Sequence, residues 1–181
     1  MALLISAVIP TRGDVDLGRL VNHLRSYPEI QEITFVVGTT PYNRYRAARK
    51  SLHDVIYIQD DDYITDLRPL IDAYQPGVIV NAMTKEHQQG YKYDETLIGF
   101  GAIFSKSLLS VLDGWQEDSL FLRESDRVFA TLNPHLTLYP SIEVLPWATA
   151  TNRLCYQPNH GASHVAIMDR IRYHQSIRPH A

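Results

Sequence analysis

Apolar residues fall into short blocks separated by polar turns along the first half of the chain. Residues 3–9 form an apolar run closed by Pro10, the pattern of a strand buried on both faces of a mostly parallel sheet. Leu17, Leu20, Val21 and Leu24 then recur at helical spacing as far as Pro28, with Asp14 or Asp16 placed to cap the helix. Residues 33–37 read as a second strand, 40–50 as a loop entering a short helix, 55–58 as a third strand, 67–74 as a helix and 77–82 as a fourth strand. This alternation predicts an α/β fold, a single domain whose sheet is sandwiched by helices.

The second half changes character. A polar, aromatic stretch at 91–95 precedes a Gly-interrupted strand at 98–104 and a short helix at 106–112. A helix is expected at 124–132, ended by Pro134, then short strands at 137–139 and 142–145 and a final amphipathic helix at 164–174. No repeat, low-complexity tract or linker separates the halves. The layout suits a nucleotide-binding half, about 1–82, joined to an acceptor-binding half, about 83–181.

Composition narrows the class of protein. A chain of 181 residues, 45% hydrophobic and 20% charged, can bury a substantial core in one domain. No run reaches the 18 or so apolar residues of a membrane span, and the apolar N-terminal stretch lacks a basic leader, so a cytoplasmic protein is expected. One cysteine, Cys155, excludes an internal disulfide framework and a thiolate zinc site and reads as core filler. The net charge of −3 provides no general field for nucleic acid. Arg44, Arg46, Arg49 and Lys50 do crowd one segment, and Arg170, Arg172 and Arg178 crowd the tail.

The feature with most chemical content is Asp60-Asp61-Asp62 at the end of the third apolar block. Three adjacent carboxylates repel one another at neutral pH, and a cation resolves that conflict. A solvated turn with Asp61 or Asp62 capping the next helix would use the same residues. Two further polar segments, Pro10-Thr11-Arg12-Gly13-Asp14 and Gly38-Thr39-Thr40, follow the first two strands. In open α/β sheets ligands bind beyond the carboxyl ends of the strands, so all three would border one site.

Three stretches carry a resemblance to a known fold family: Ala7-Val8-Ile9-Pro10-Thr11-Arg12, Tyr42-Asn43-Arg44-Tyr45-Arg46, and the strand leading into Asp60-Asp61-Asp62. They resemble the nucleotide-sugar half of a GT-A glycosyltransferase, a Rossmann-like fold, and within it the exostosin-type family 64 domain. Such domains share an Asn-Arg-x-Arg segment and the Asp triplet. They also share a later Leu-Ile-Gly-x-x-x-x-Phe strand, here Leu97 to Phe104, and an acidic segment, here Glu124-Ser125-Asp126. Thr39-Thr40 stand where those domains often carry an Asn pair, and Ser125 stands where they carry one Asp of the acidic pair.

The resemblance implies a metal-dependent transfer of sugar from a nucleotide diphosphate sugar, a UDP-sugar first of all, to a hydroxyl. The acceptor is left open among a glycan, a small metabolite, a protein and a hydroxymethylated pyrimidine in DNA. A Mn2+ or Mg2+ ion would neutralise the diphosphate leaving group. Asp62 would ligate it directly, Asp60 through water or through the ribose hydroxyls, and Asp61 would contact the ribose or donor sugar. Pro10, Thr11, Arg12 and Asn43 would line the donor pocket. Arg46 or Arg49 would fork onto phosphate oxygens or the base edge, unless they belong to a solvated helix face. His160, or else His164 four residues on, would complete the metal shell. Asp126, placed at a helix start, would be the catalytic carboxylate, with Glu124 as its substitute. Tyr91, Tyr93 and Trp115 would offer an aromatic platform or else belong to the core.

Other classes remain in play at this level. A nucleotide-sugar or carbohydrate-binding module without catalysis would keep the triplet. A nucleotidyltransferase would share the sheet, although Pro10-Thr11-Arg12-Gly13 contains one glycine and no lysine. A haloacid-dehalogenase-type phosphotransferase would place its Asp-x-Asp after the first strand rather than the third.

Overall fold

The computed structural model describes residues 3–38, 40–86, 98–149 and 160–177. The elements, in chain order, are β1 (Ile5–Thr11), α1 (Gly18–Arg25), β2 (Ile30–Val37), α2 (Tyr42–Lys50), β3 (Val55–Ile58), β4 (Tyr63–Thr65), α3 (Arg68–Ala73), β5 (Ile79–Ala82), β6 (Ala102–Ser105), a 3₁₀ segment Lys106–Leu112, α4 (Ser119–Leu132), β7 (His135–Leu138), β8 (Ile142–Val144), a second 3₁₀ turn Pro146–Thr149 and α5 (His160–Ile177).

Among the described residues six strands form one sheet in the order β2-β1-β3-β6-β5-β7. β1 pairs in parallel with β2 and β3, and β5 in parallel with β7. β6 runs antiparallel to both β3 and β5, so it alone opposes the other five. The expected mixed α/β architecture, a mostly parallel sheet sandwiched by helices in a Rossmann-like single domain, is the observed one.

The pleat sorts the apolar side chains onto two faces. Val8, Ile56, Ile58, Ile79, Ala102 and Phe104 pack with Tyr45 and Ala48 of α2, Val128 and Phe129 of α4, and Ile167 and Ile171 of α5. Ile5, Ala7, Ile9, Tyr57, Val80 and Ile103 pack on the other face with Leu20 and Leu24 of α1 and Leu70 and Ile71 of α3. Residues buried on alternate faces of one strand explain why β1 reads as a continuous apolar run. β2 is an edge strand, and its Phe35 and Val37 remain exposed.

Several sequence expectations shift. The strand expected at 98–104 is a strand only from Ala102, because residues 98–101 make the turn that reverses β6. Gly101 sits at φ +128°, and a Cβ there would lie 2.6 Å from the Tyr57 hydroxyl. Residues 63–65, to which the sequence pattern assigns no element, form β4, which pairs antiparallel with β8 in a separate two-stranded sheet. The helix expected at 67–74 is α3, Arg68–Ala73, with β4 standing between it and the triplet. The helix expected at 124–132 begins at Ser119, where the Asp118 carboxylate caps it by accepting from the Phe121 amide at 2.9 Å. It breaks at Glu124, whose φ −106°, ψ 16° are not helical.

Trp115 is core. It is stacked at 4.5 Å on His174 of α5 and at 5.7 Å on Phe121, and its indole nitrogen donates to the Val111 carbonyl. Tyr91, Tyr93 and Cys155 lie outside the described residues. Among the described residues no helix is long and apolar enough to cross a membrane.

Gly101→Ala should lower the unfolding free energy by about 1–3 kcal/mol, since a side chain at that backbone angle is strained and also displaces the Tyr57 hydroxyl. Urea denaturation of the variant beside the wild type measures the loss.

Candidate functional site

β1, β2 and β3 point the same way, with Thr11 level with Val37 and Val8 level with Ile58. Their following loops therefore meet at one edge of the sheet. The turn at 98–101 joins them there, because β6 starts from that edge. The Thr11 hydroxyl accepts from the Gly13 amide at 3.0 Å, folding the first loop back on its own strand. Asn43, at the start of α2, lies against Gly38 so closely that a Cβ on Gly38 would collide with its side-chain amide.

The acidic triplet is the turn from β3 of the large sheet into β4 of the small one, and its backbone is tied on three sides. The Asp60 amide donates to the Gly99 carbonyl at 2.8 Å, and the Asp62 carbonyl accepts from the Leu145 amide at 2.8 Å. The Asp61 carbonyl accepts from the Trp147 indole at 2.9 Å. Buried Gln59, just before the triplet, accepts from the Tyr57 hydroxyl at 2.6 Å and donates to the Tyr63 carbonyl. The hydroxyl of Thr65 donates to the Phe100 carbonyl. These polar links hold the triplet to the 98–101 turn, and Gly99 lets the Asp60 carboxylate lie against its Cα.

Asp61 and Asp62 are buried, with 5% and 7% of their surface exposed. The buried Asp61 Oδ2 has no hydrogen-bond partner. An unsatisfied carboxylate oxygen in a buried acidic turn is costly unless a donor or cation meets it. Among the described residues no three His, Cys, Asp or Glu side chains converge as a ready-made metal cage. Hard oxygen donors without a full cage fit a Mg2+- or Mn2+-type ion, which takes one or two carboxylates together with substrate phosphates.

The second half of the site comes from α2 and α4. Arg44, buried to 6% exposure, reaches Asp60 Oδ1 with Nη2 at 2.8 Å and Asp126 Oδ2 with Nη1 at 3.2 Å. The neighbouring Tyr45 hydroxyl donates to Asp126 Oδ1 at 2.7 Å. One helical turn thus holds both oxygens of Asp126 and one oxygen of Asp60. Burial alone would oppose the charge on Arg44, but Asp126 and Asp60 outweigh it and raise its pKa further. The Tyr45 phenol is pushed well above its ordinary value by burial and then by Asp126. Asp126 keeps 32% of its side-chain surface exposed. Its pKa is nevertheless raised, by the protein packed around it and by Asp60, against the opposing pull of Arg44 and Tyr45.

Glu124 takes a different direction. It is 4% exposed and pushed up to about 7, chiefly by burial, with Arg127 and Arg123 opposing and Asp126 adding to the rise. Its Oε2 lies 3.3 Å from His164 Nε2 of α5, and Arg127 Nη2 lies 2.9 Å from Nδ1 of the same ring. Both ring nitrogens of His164 are therefore engaged by α4. His160 opens α5, and its side chain lies outside the described residues, as does Thr39.

The structure thus gathers Asp60 and Asp126 around Arg44 and places the loops of Thr11 and Asn43 at the same sheet edge. Arg46 and Arg49 turn to other partners: Arg46 to Glu117, Arg49 to Asp113 at 2.8 Å and to the Leu109 carbonyl at 2.9 Å. Arg12 forms an ion pair with Asp14 at 3.4 Å. Asp126 does not open its helix; it follows the break at Glu124, seven residues after Ser119. Arg44 and Tyr45 were missed as site residues. The signal for them is helical spacing: Tyr45 and Ala48 mark the inner face of α2, and Arg44 lies one turn before Ala48 on that face, whereas Arg46, Arg49 and Lys50 face outward.

No family model matches the chain, and no curated protein matches it. The likeness to exostosin-type domains therefore stands on the motif residues alone. Among solved structures the chain matches one described as a glucose-1-phosphate thymidylyltransferase from Bacillus anthracis, in complex with a sucrose, at a TM-score of 0.52 and 8% identity over 81% of this chain and 91% of that one. At that identity the likeness establishes the fold, a Rossmann-like α/β sheet.

Glu124 has a readable linkage to stability. Between its ordinary value of 4.5 and about 7 the folded protein keeps a proton on Glu124 that the unfolded chain has released. Its contribution is thus full below 4.5 and is lost as pH rises through 7. Glu124→Gln should flatten the decline of unfolding free energy across that window and exceed the wild type above it; denaturant titrations at stepped pH test this.

Proposed function

We propose that the protein is a transferase acting on a nucleotide-activated sugar, and that it moves the sugar from a nucleotide diphosphate, UDP first of all, to a hydroxyl. The observation that carries this reading is the meeting of Asp60, from the triplet, with Asp126, from the second half, on the guanidinium of Arg44. A carboxylate turn suited to a cation and diphosphate stands next to a carboxylate of raised pKa that retains solvent access.

In this reading a divalent ion, when bound, neutralises charge building on the diphosphate leaving group. Asp62 and Asp60 are the residues that would hold it, and the unsatisfied Oδ2 of Asp61 accepts from a ribose or donor-sugar hydroxyl. The loops of Thr11 and Asn43 wall the nucleotide. Asp126 accepts the proton of the acceptor hydroxyl or, in a retaining reaction, stabilises positive charge on the sugar ring. Tyr45 and Arg44 orient its two oxygens. Glu124 faces α5, which makes Asp126 the better candidate of the two. His160 completes the metal shell in this proposal, and the engaged ring of His164 makes it the poorer choice.

A second reading has an observation of its own. The solved neighbour is a thymidylyltransferase by description, which favours nucleotidyl transfer to a sugar phosphate over glycosyl transfer. The same triplet would then hold a nucleoside triphosphate through its bound cation.

The two readings separate in one assay. UDP should bind, by calorimetry, more tightly with Mn2+ than with chelator, and a UDP-sugar should be slowly hydrolysed without release of pyrophosphate. Pyrophosphate formed from a nucleoside triphosphate and a sugar 1-phosphate would establish the second reading. Binding that ignores the metal for every nucleotide would remove the triplet from both.

Asp126→Asn should retain UDP binding within a few fold and lose turnover by about a hundredfold or more, the scale of a lost general base. Activity close to wild type would move the catalytic role off Asp126.

A further inference from the structure

We propose that Arg44 is a positioning residue that links the donor turn to the catalytic helix, so that neutralising Asp60 transfers its guanidinium to Asp126 and fixes that carboxylate for reaction. The functional meaning of the link rests on the donor reading proposed above; the link itself rests on geometry.

One guanidinium serves two carboxylates from different parts of the chain. Nη2 is 2.8 Å from Asp60 and Nη1 is 3.2 Å from Asp126, so the closer hold is on the donor side. Arg44 is buried, so its own charge is weakly screened, while Asp60 and Asp126 keep 27% and 32% of their side-chain surface exposed. Each carboxylate draws charge away from the other. A cation or diphosphate-bound metal arriving at the triplet cancels the pull of Asp60, and the fork is then free to tighten on Asp126.

The surroundings restrict motion to this exchange. Asp60 is pinned by the hydrogen bond its amide donates to the Gly99 carbonyl, and its carboxylate fills the space a Cβ on Gly99 would take. The other oxygen of Asp126 is held by Tyr45, one residue along the same helix as Arg44. The break at Glu124, two residues before Asp126, gives the carboxylate a backbone that need not move as one rigid helix with Ser119. Arg44 therefore acts through Asp126 rather than on the substrate. An occupied donor site delivers an oriented carboxylate, and a vacant one leaves Asp126 sharing its partner.

The test is a spectroscopic one that needs no turnover. The carboxyl carbon of Asp126 is read by 13C NMR in protein labelled at aspartate, with its signal identified by its loss in Asp126→Asn. Asp60→Asn imitates neutralisation of the donor side. It should move the Asp126 signal by more than the scatter at Asp72 and Asp169, which lie on other helices. With Arg44→Met the same Asp60→Asn change should move it at least threefold less. Arg44→Lys, which keeps the charge but cannot fork, should give an intermediate shift, and it carries the comparison if Arg44→Met does not fold. An Asp126 signal indifferent to Asp60→Asn, or shifted equally with and without Arg44, overturns the link.

Adding UDP and Mg2+ to the wild type should reproduce the Asp60→Asn shift. If Asp60→Asn moves Asp126 but UDP with Mg2+ perturbs neither Asp126 nor the triplet, the link stands and the donor reading falls. If the triplet responds while Asp126 does not, the link is overturned and the donor reading stands.

Discussion

The site depends on one buried cation. Without Arg44, the carboxylates of Asp60 and Asp126 would lose the cation they share, with buried Asp61 and Asp62 adjoining Asp60 in the chain and solvent screening the pair only in part. With it, the first half of the chain and the second half share a charge, and this end of the sheet gathers opposite charges rather than like ones. A buried ion pair of this kind adds little net stability, because desolvation cancels most of the Coulomb gain; its effect is to specify which groups meet and at what distance.

The fold meets that requirement with polar connections rather than apolar packing alone. Gln59, Thr65, the main chain of the triplet and the indole of Trp147 form a set of hydrogen bonds that crosses from the large sheet to the small one. The small sheet, β4 with β8, matters here because it gives the turn a fixed exit as well as a fixed entry. Antiparallel β6 has a similar role: it brings the 98–101 turn to the same edge as the ends of β1, β2 and β3, and so places Gly99 under Asp60.

Much of this was legible in the residues. Period and punctuation located β1, α1, β3 and β5 closely, since their burial alternates or repeats cleanly. β4 escaped because three residues carry too short a pattern to be told from the start of a helix. The start of α4 escaped because Asp118 caps it across a polar approach, while the break at Glu124 imitates a new beginning. In the site, the triplet and Asp126 announced themselves by charge. Arg44 did not, because its neighbours Arg46 and Arg49 carry the same charge and only the helical face distinguishes them. Glu124 was readable as an acid but not as one aimed at α5, because direction beyond a helix break is a tertiary property.

The contact between Gly99 and Asp60 bears on how this sequence can diversify. A methyl group at position 99 would occupy space already held by a carboxylate oxygen, whereas one at Gly161 would meet nothing within 4 Å. The two glycines are therefore under different kinds of constraint. Position 161 is open to drift, while position 99 is bound to the chemistry of position 60. In a lineage that keeps the acid, a larger residue at 99 has to push the carboxylate aside and away from its present partner; where the acid is lost that constraint goes with it, so the two positions are coupled although they stand 39 positions apart.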